Sequence, residues 1–396
     1  LWTAYWGNTN TLTTRHFLHT KQTPAAMPRI VTVLSFLLLI HLPLCSQEIA
    51  EGDTCAMETP HQSRHQLKNK FLNRLYEKVK DFSRVDTNYI EPQKYNYTFM
   101  LQNTYTYEMY QLTSKSGNTI TFSPEPSYKL GPYIGWRWIF LGYTIDLAHL
   151  SGDDNRQDLD ISLYSNQIGI DLFYRKTGDN YKIMRMSLGQ DVDTRPIRNA
   201  NFNGFKASIK GFNLYYIFNH KKFSYPAAYS QSTIQRRSAG SPLVGIGYTK
   251  HSIDIDWNKL QDVVAYKLGD EVAATKLDST MRFGKVAFTD YSVSGGYAYN
   301  WVFAHNWLFD ASLSLGVSYK HTIGEVDKNG VFLKDFDFKN FNIDGVSRIG
   351  IVWNNMRWYA GASAIFHTYN YRKSQFRSNT VFGCVNLYVG VNFGNR

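Results

Sequence analysis

Three residues before its last, the chain completes the stretch Val381-Phe382-Gly383-Cys384-Val385-Asn386-Leu387-Tyr388-Val389-Gly390-Val391-Asn392-Phe393. Successive side chains of a strand point to opposite faces. One face here carries Val381, Gly383, Val385, Leu387, Val389, Val391 and Phe393, and is continuously apolar. The other carries Phe382, Cys384, Asn386, Tyr388, Gly390 and Asn392, and is mixed. The stretch is long enough for a tilted strand to cross a bilayer, which takes about 9–11 residues. An apolar face against hydrocarbon, a part-polar face against a lumen and an aromatic near the end are the pattern of a closing strand in a membrane β-barrel.

The same period-2 pattern recurs upstream. Tyr95, Tyr97, Phe99 and Leu101 alternate with Asn96, Thr98, Met100 and Gln102. Ile139, Leu141, Tyr143, Ile145 and Leu147 form another such face. The cleanest runs from Trp307 through Phe309, Ala311, Leu313, Leu315 and Val317 to Tyr319, with Asp310 and Lys320 on the opposite face. Aromatics bracket an aliphatic middle, as in the girdles at two water interfaces. Alternation alone also fits a two-sheet sandwich. Length favours the barrel: runs such as 203–218, 285–303, 306–322, 356–371 and 376–394 far exceed the usual strand of about 5–6 residues. The fold class expected is all-β, an antiparallel transmembrane β-barrel of about 12 strands (10–14), preceded by one amphipathic helix. A phase change after Gly211, between Phe205/Ala207/Ile209 and Phe212/Leu214/Tyr216/Phe218, predicts a β-bulge. Turns are expected at 136–137, 178–180, 220–221, 305–306 and 354–355. Counting back from an inward C-terminus puts the long loops at 257–284 and 323–339 outside, and 150–159 and 190–202 inside.

Upstream, Met27-Pro28-Arg29 and the apolar run from Ile30 to Leu44, closing on Cys45-Ser46, have the layout of a secretory signal peptide at 27–46. Residues 1–26 read as an upstream leader outside the fold. An acylated Cys45 is the lipoprotein alternative. Residues 47–93 are expected in the periplasm. They contain a basic amphipathic helix at about 66–82, with Leu67, Phe71, Leu72, Leu75, Tyr76, Val79 and Phe82 at helical spacing. That helix would lie on the inner leaflet, plug the barrel, or pack on a protein surface. The barrel is expected over 94–396.

The 396 residues carry 43 basic and 32 acidic groups, a formal charge of +11. The basic residues are scattered rather than gathered in a patch, which argues against nucleic-acid binding. Attraction to anionic lipid headgroups suits the excess better. Cys55 and Cys384 have no metal or redox spacing, and their pairing is left open. No H-E-x-x-H, phosphate-binding loop or zinc-ligand spacing is present. His149, His305, His321 and His367 are the barrel histidines weighed for catalysis, with His220 and His251 assigned to turn and loop. His321, beside a serine of a neighbouring strand, is the one arrangement suggesting a lipid-acting enzyme. No catalytic residue, metal or cofactor is assigned. The inward candidates for a lumen or ligand site are Asp146, Lys206, Lys210, Asp290, Asp310 and Lys320. Lys221-Lys222 and Arg236-Arg237, at the two ends of an expected strand 223–235, are candidates for phosphate headgroups.

The segments Phe218-Asn219-His220-Lys221-Lys222-Phe223-Ser224 and Ser238-Ala239-Gly240-Ser241 are the specific part of a resemblance. With Asp86 to Ile90, Lys94 to Phe99 and Gly296 to Phe303, the chain from about residue 70 onward resembles a Bacteroidetes family, domain of unknown function 4421. The resemblance implies an outer-membrane barrel in a Gram-negative cell and supplies no catalytic residues. The function expected is a monomeric barrel that binds or slowly passes small polar or lipidic ligands. Its partners would be outer-membrane lipid, including lipopolysaccharide, and the barrel assembly machinery. A lipid-modifying enzyme and a non-catalytic surface or assembly scaffold are the alternatives.

Overall fold

The computed structural model describes residues 84–136, 139–142, 145–146, 157–176, 180–277, 285–323, 341–372 and 376–395. The expected leader, signal peptide, helix 66–82, Cys55, His149 and residues 324–339 of the expected loop 323–339 lie outside the described residues.

Strands dominate. A short β1 (Ile90–Pro92) precedes the long β2 (Tyr95–Ser114), then β3 (Thr119–Pro124), β4 (Ser127–Trp136), β5 (Ile139–Gly142) and β6 (Ile145–Asp146). Next come β7 (Gln157–Tyr164), β8 (Ile168–Lys176), β9 (Tyr181–Ser187), β10 (Ala200–Phe202) and β11 (Phe205–Ile217). A short helix α1 (Tyr225–Tyr229) and β12 (Thr233–Gln235) lead into β13 (Ala239–Ile255). Helices α2 (Trp257–Leu268) and α3 (Asp270–Thr275) follow. The chain finishes with β14 (Lys285–Ala304), β15 (Trp307–Ile323), β16 (Phe341–Asn354), β17 (Trp358–Arg372) and β18 (Phe376–Asn395).

All pairings are antiparallel, and the last long strand returns to the first: β18 pairs β2 from Phe376↔Ser114 to Asn395↔Tyr95. The wall then runs β18-β17-β16-β15-β14-β13-β11-β8-β7 one way, and β2-β4 followed by β5 and β6 the other. The β5 and β6 pieces share one register against β4 (Tyr133↔Gly142, Lys129↔Asp146), so they occupy a single position in the wall. Twelve strand positions result among the described residues. Among the described residues no ladder joins β6 to β7, so the sheet stays open at that seam. Lys129 of β4 nevertheless reaches Asp158 of β7 at 3.3 Å across it.

The two faces settle barrel against sandwich. Leu313, Leu315 and Val317 of β15 are more than half exposed, while Asp310, Ser312, Ser318 and Lys320 between and beside them are buried. In β18, Leu387, Val389 and Phe393 are exposed, and Phe382, Tyr388 and Asn392 buried. A soluble sandwich inverts this order, and a soluble surface rarely shows so large an apolar band. The chain is an antiparallel transmembrane β-barrel.

The register divides the barrel into two ends. At one, β14–β15 and β16–β17 close in tight turns at 305–306 and 355–357, near β2's start and β18's end. Residues 218–238 also belong to this end. At the other, β3, β9 and β10 extend the sheet beyond β2, and α2 packs on a 3-10 turn (Arg195–Ile197). Tyr110, Phe122, Tyr181, Phe202, Phe205 and Leu260 pack there as an aromatic-rich core that caps the lumen.

Two expectations are corrected here. Residues 190–202, and the approach to β7 at 157, lie at the capped end with 257–275, not at the turn end. The cause is 223–235, which was counted as a strand crossing the barrel but does not cross it, so every position counted back beyond it was assigned to the wrong end. The expected bulge at Gly211 is also absent, since β11 keeps one unbroken register with β13 from Phe205↔Ile255 to Ile217↔Leu243. What changes at Gly211 is the surroundings. Below it Phe212 and Phe218 face outward in the apolar band; above it Phe205, Ala207 and Ile209 face inward to the cap core, and Lys206 and Lys210 face out. A strand that leaves hydrocarbon for water inverts its polarity without changing its phase.

Candidate functional site

The lumen is closed at the turn end by the chain itself. After β11 the chain turns at Phe218–Lys222 and folds back inside the barrel, and Phe223 to Gln231 are all buried. Pro226 at the start of α1 needs no N–H partner there. Tyr225 and Tyr229, four residues apart, project from one face of the turn. Tyr229 stacks on Tyr164 (centroids 5.4 Å apart), and its hydroxyl donates to Asp310 Oδ1 at 2.5 Å. The Gln231 amide donates to the Ala228 carbonyl and the Tyr388 hydroxyl, both at 3.2 Å, and Asn354 Nδ2 donates to Gln231 Oε1 at 2.9 Å. Asn300 Nδ2 donates to the Ser224 carbonyl at 2.9 Å and to Gln235 Oε1 at 3.0 Å. Buried backbone that is not in a ladder needs such partners, and the wall supplies them from β14, β16 and β18.

Strand β1 latches this plug. It pairs with β12 at Ile90↔Gln235, Glu91↔Ile234 and Pro92↔Thr233, apart from the barrel sheet. The Arg236 N–H donates to the Tyr89 carbonyl at 2.7 Å. Two cations lie over the Tyr89 ring, Lys222 at 5.0 Å and Arg237 at 5.9 Å. Arg236 Nε donates to Glu91 Oε2 at 2.5 Å, and Lys94 lies 3.0 Å from Glu91 Oε1. Partial burial works to raise the Glu91 carboxyl, but hydrogen bonds from Lys94 and Arg236 outweigh it and leave it below the ordinary carboxylate range.

Between plug and cap lies a belt of charge. Arg348 of β16 reaches across the lumen to Asp171 of β8, and its guanidinium covers the Tyr215 ring at 4.8 Å. Ser162 donates to the other Asp171 oxygen at 2.8 Å. Arg175 bonds Asp160 at 2.6 Å and points to the Gly383 carbonyl of β18, also across the lumen. Lys320 sits 3.1 Å from both Asp290 and Asp344. Two small cavities remain. One of about 100 Å³ is lined by Gln102, Lys129, Asp158, Asp160, Cys384 and Asn386, among others. Another, of about 30 Å³, has Asp344, Asn213, Ser292, Ser294 and Ser314 in its lining. Each has room for water or a small ion rather than a large solute.

Of the residues singled out from the sequence, Asp290, Asp310 and Lys320 lie buried in the lumen, and the first and last form one ion cluster. Asp146 is half-buried opposite Lys129 on the neighbouring strand. Lys206 and Lys210 point outward at the capped end and line no part of the lumen, because the inward positions beside them belong to the apolar cap core. Lys221, Lys222, Arg236 and Arg237 are exposed, but they do not flank a strand 223–235. That stretch is the plug, and the four cations gather at one mouth, where three of them hold the β1 segment. Pro226 inside an expected strand and the Tyr225/Tyr229 spacing were the signals for a helical turn. His251 is not in a loop: it is buried in β13 and stacks on Phe288 at 4.6 Å. Asp171, Arg175, Asp344 and Arg348 completed the belt without being singled out, since only cross-lumen proximity marks them. Among the described residues no His, Cys, Asp and Glu group has metal-site geometry.

The profile of a family described as Domain of unknown function (DUF4421) matches residues 84–393, from the latch to the last strand. The chain belongs to this family. No curated protein matches it. Among solved structures, the outer membrane protease OmpT of Escherichia coli is 7% identical, with a TM-score of 0.31, covering 75% of this chain and 97% of that one. The transport unit of the autotransporter AIDA-I from Escherichia coli is 10% identical, with a TM-score of 0.29, over 76% and 90% of the two chains. The Pseudomonas putida (P. putida) toluene transporter TodX is 9% identical, with a TM-score of 0.21, over 76% and 91%.

Proposed function

We propose that this DUF4421 chain is an exported outer-membrane barrel that passes small polar solutes through a gated lumen, the gate being the loop 218–238. The observation that carries this reading is the burial of Phe223–Gln231 inside the barrel together with their latch to β1. A barrel filled for strength alone would close with wall side chains, as small barrels do. Here a polar belt with cavities is kept between two closures, and one closure is a loop held from outside the wall. The turn end faces the periplasm, which places the latch within reach of whatever precedes residue 84, and the cap faces outward. Lipid, including lipopolysaccharide, covers the apolar band, and the chain is a monomer inserted by the barrel assembly machinery.

Planar-bilayer recording of the refolded full chain tests the reading. The wild type is expected to stay closed nearly all the time, and Tyr89→Ala/Arg236→Ala to raise open probability at least tenfold. Silence in that variant, and in a second with 224–234 replaced by a Gly-Ser linker, ends the passage reading.

A further inference from the structure

We infer that the lumen, once the plug withdraws, takes small monovalent cations and turns away anions; this names the solute class of the passage proposed above and rests on that reading. Each lumen base among the described residues is held by an acid: Lys129 by Asp158, Arg175 by Asp160, Arg348 by Asp171. Lys320 serves two carboxylates at once, Asp290 and Asp344, so that cluster has one base for two acids. Asp310 has no cation in ion-pair reach among the described residues; its partner is the hydroxyl of plug residue Tyr229.

The excess includes buried carboxylate oxygens that no donor reaches. Asp344 Oδ2 accepts no hydrogen bond, although Asp344 is only 6% exposed, and it lines the smaller cavity. The rest of that lining includes the Ser292, Ser294 and Ser314 hydroxyls and Asn213 as oxygen donors, and also Arg348, whose charge is taken up by Asp171. Hard cations are bound by carboxylate, carbonyl and hydroxyl oxygens of this kind. Asp310 Oδ2 is likewise buried without a partner, nearer the plug. A buried carboxylate left uncompensated is costly, and a small cation relieves that cost where an anion adds to it. Carboxylates at successive depths are how narrow pores select cations. Tyr229 therefore does more than fill space. Its hydroxyl covers Asp310 while the plug is in, and withdrawal bares the acid as the path opens.

The test is the reversal potential of Tyr89→Ala/Arg236→Ala channels under a tenfold KCl gradient. The expected potassium-to-chloride permeability ratio exceeds about five, and Asp310→Asn with Asp344→Asn lowers it several-fold. A ratio at or below one, or a ratio that both substitutions leave unchanged, overturns the inference while leaving passage intact. If no channel opens, passage fails, and thermal melts of the wild-type chain decide whether the lumen takes cations. KCl is compared with N-methylglucamine chloride, whose cation is too large for the cavities, at equal ionic strength. A higher midpoint in KCl that disappears in Asp344→Asn supports cation uptake; equal midpoints in the two salts overturn it.

Discussion

Arg348→Met tests whether the charge belt holds the barrel across its lumen. Arg348 and Asp171 are both almost fully buried and stand on walls five strands apart along β16-β15-β14-β13-β11-β8. Removing the arginine leaves Asp171 charged and buried with Ser162 as its remaining donor. Breaking such a pair costs about 3–5 kcal/mol, whereas replacing both partners is often neutral. Methionine keeps much of the arginine stem against Tyr215, so the loss is electrostatic more than steric. Arg348→Met is therefore expected to lower unfolding free energy by about 3–5 kcal/mol. Asp171→Asn alone strands Arg348 and costs about as much. The double variant returns to within about 1–2 kcal/mol of wild type, since asparagine still accepts from Ser162 and no charge remains. Urea unfolding in detergent micelles, followed by tryptophan fluorescence in both directions, gives the four free energies of the cycle. Arg348→Met within about 1 kcal/mol of wild type, or a double variant no better than the single ones, would refute the cross-lumen pairing.

Three further outcomes follow from the geometry. A Cβ at Gly390 falls 2.2 Å from the ring of Tyr359, its cross-strand partner, so Gly390→Ala should cost about 1–3 kcal/mol by overpacking, read as a lower urea midpoint. Leu315→Arg, in the middle of the exposed face of β15, should cost about 2–4 kcal/mol in lipid, while Lys210→Leu at the capped end stays near neutral; equal effects would mean the apolar band is not in hydrocarbon. Because the Glu91 carboxyl titrates below its unfolded value, its support of the latch is complete above the ordinary carboxylate range and lost as pH falls through the lowered value. Open probability should thus rise only in acid, and Glu91→Gln should raise it at neutral pH and flatten the acid response.

How much of this was readable in advance depends on what each strand touches. In β15 and β18 one side meets hydrocarbon and the other the lumen along most of the length, so alternation reported both faces correctly. In β11 the same alternation misled. The code for inward changes where the strand emerges into water, and nothing in Lys206-Ala207-Ser208-Ile209-Lys210 says where that happens. The plug was misread as a strand because an apolar Tyr-Pro-Ala-Ala-Tyr is equally good filling for a lumen or a sheet. Its Pro226 and the Tyr225/Tyr229 spacing were the local signs against the latter.

Alternation and strand length by themselves therefore determined that the chain is a barrel, roughly how many strands cross, and which faces of its long strands meet lipid. Those are local properties: a two-residue period and a hydrocarbon thickness act on each strand separately. Whether the lumen is open, where its charges meet and which loop closes it were decided only by the curled wall. Arg348 and Asp171 are 177 positions apart, and Tyr229 and Asp310 81. No periodicity links such residues until the sheet curls and brings opposite walls within a side chain's reach.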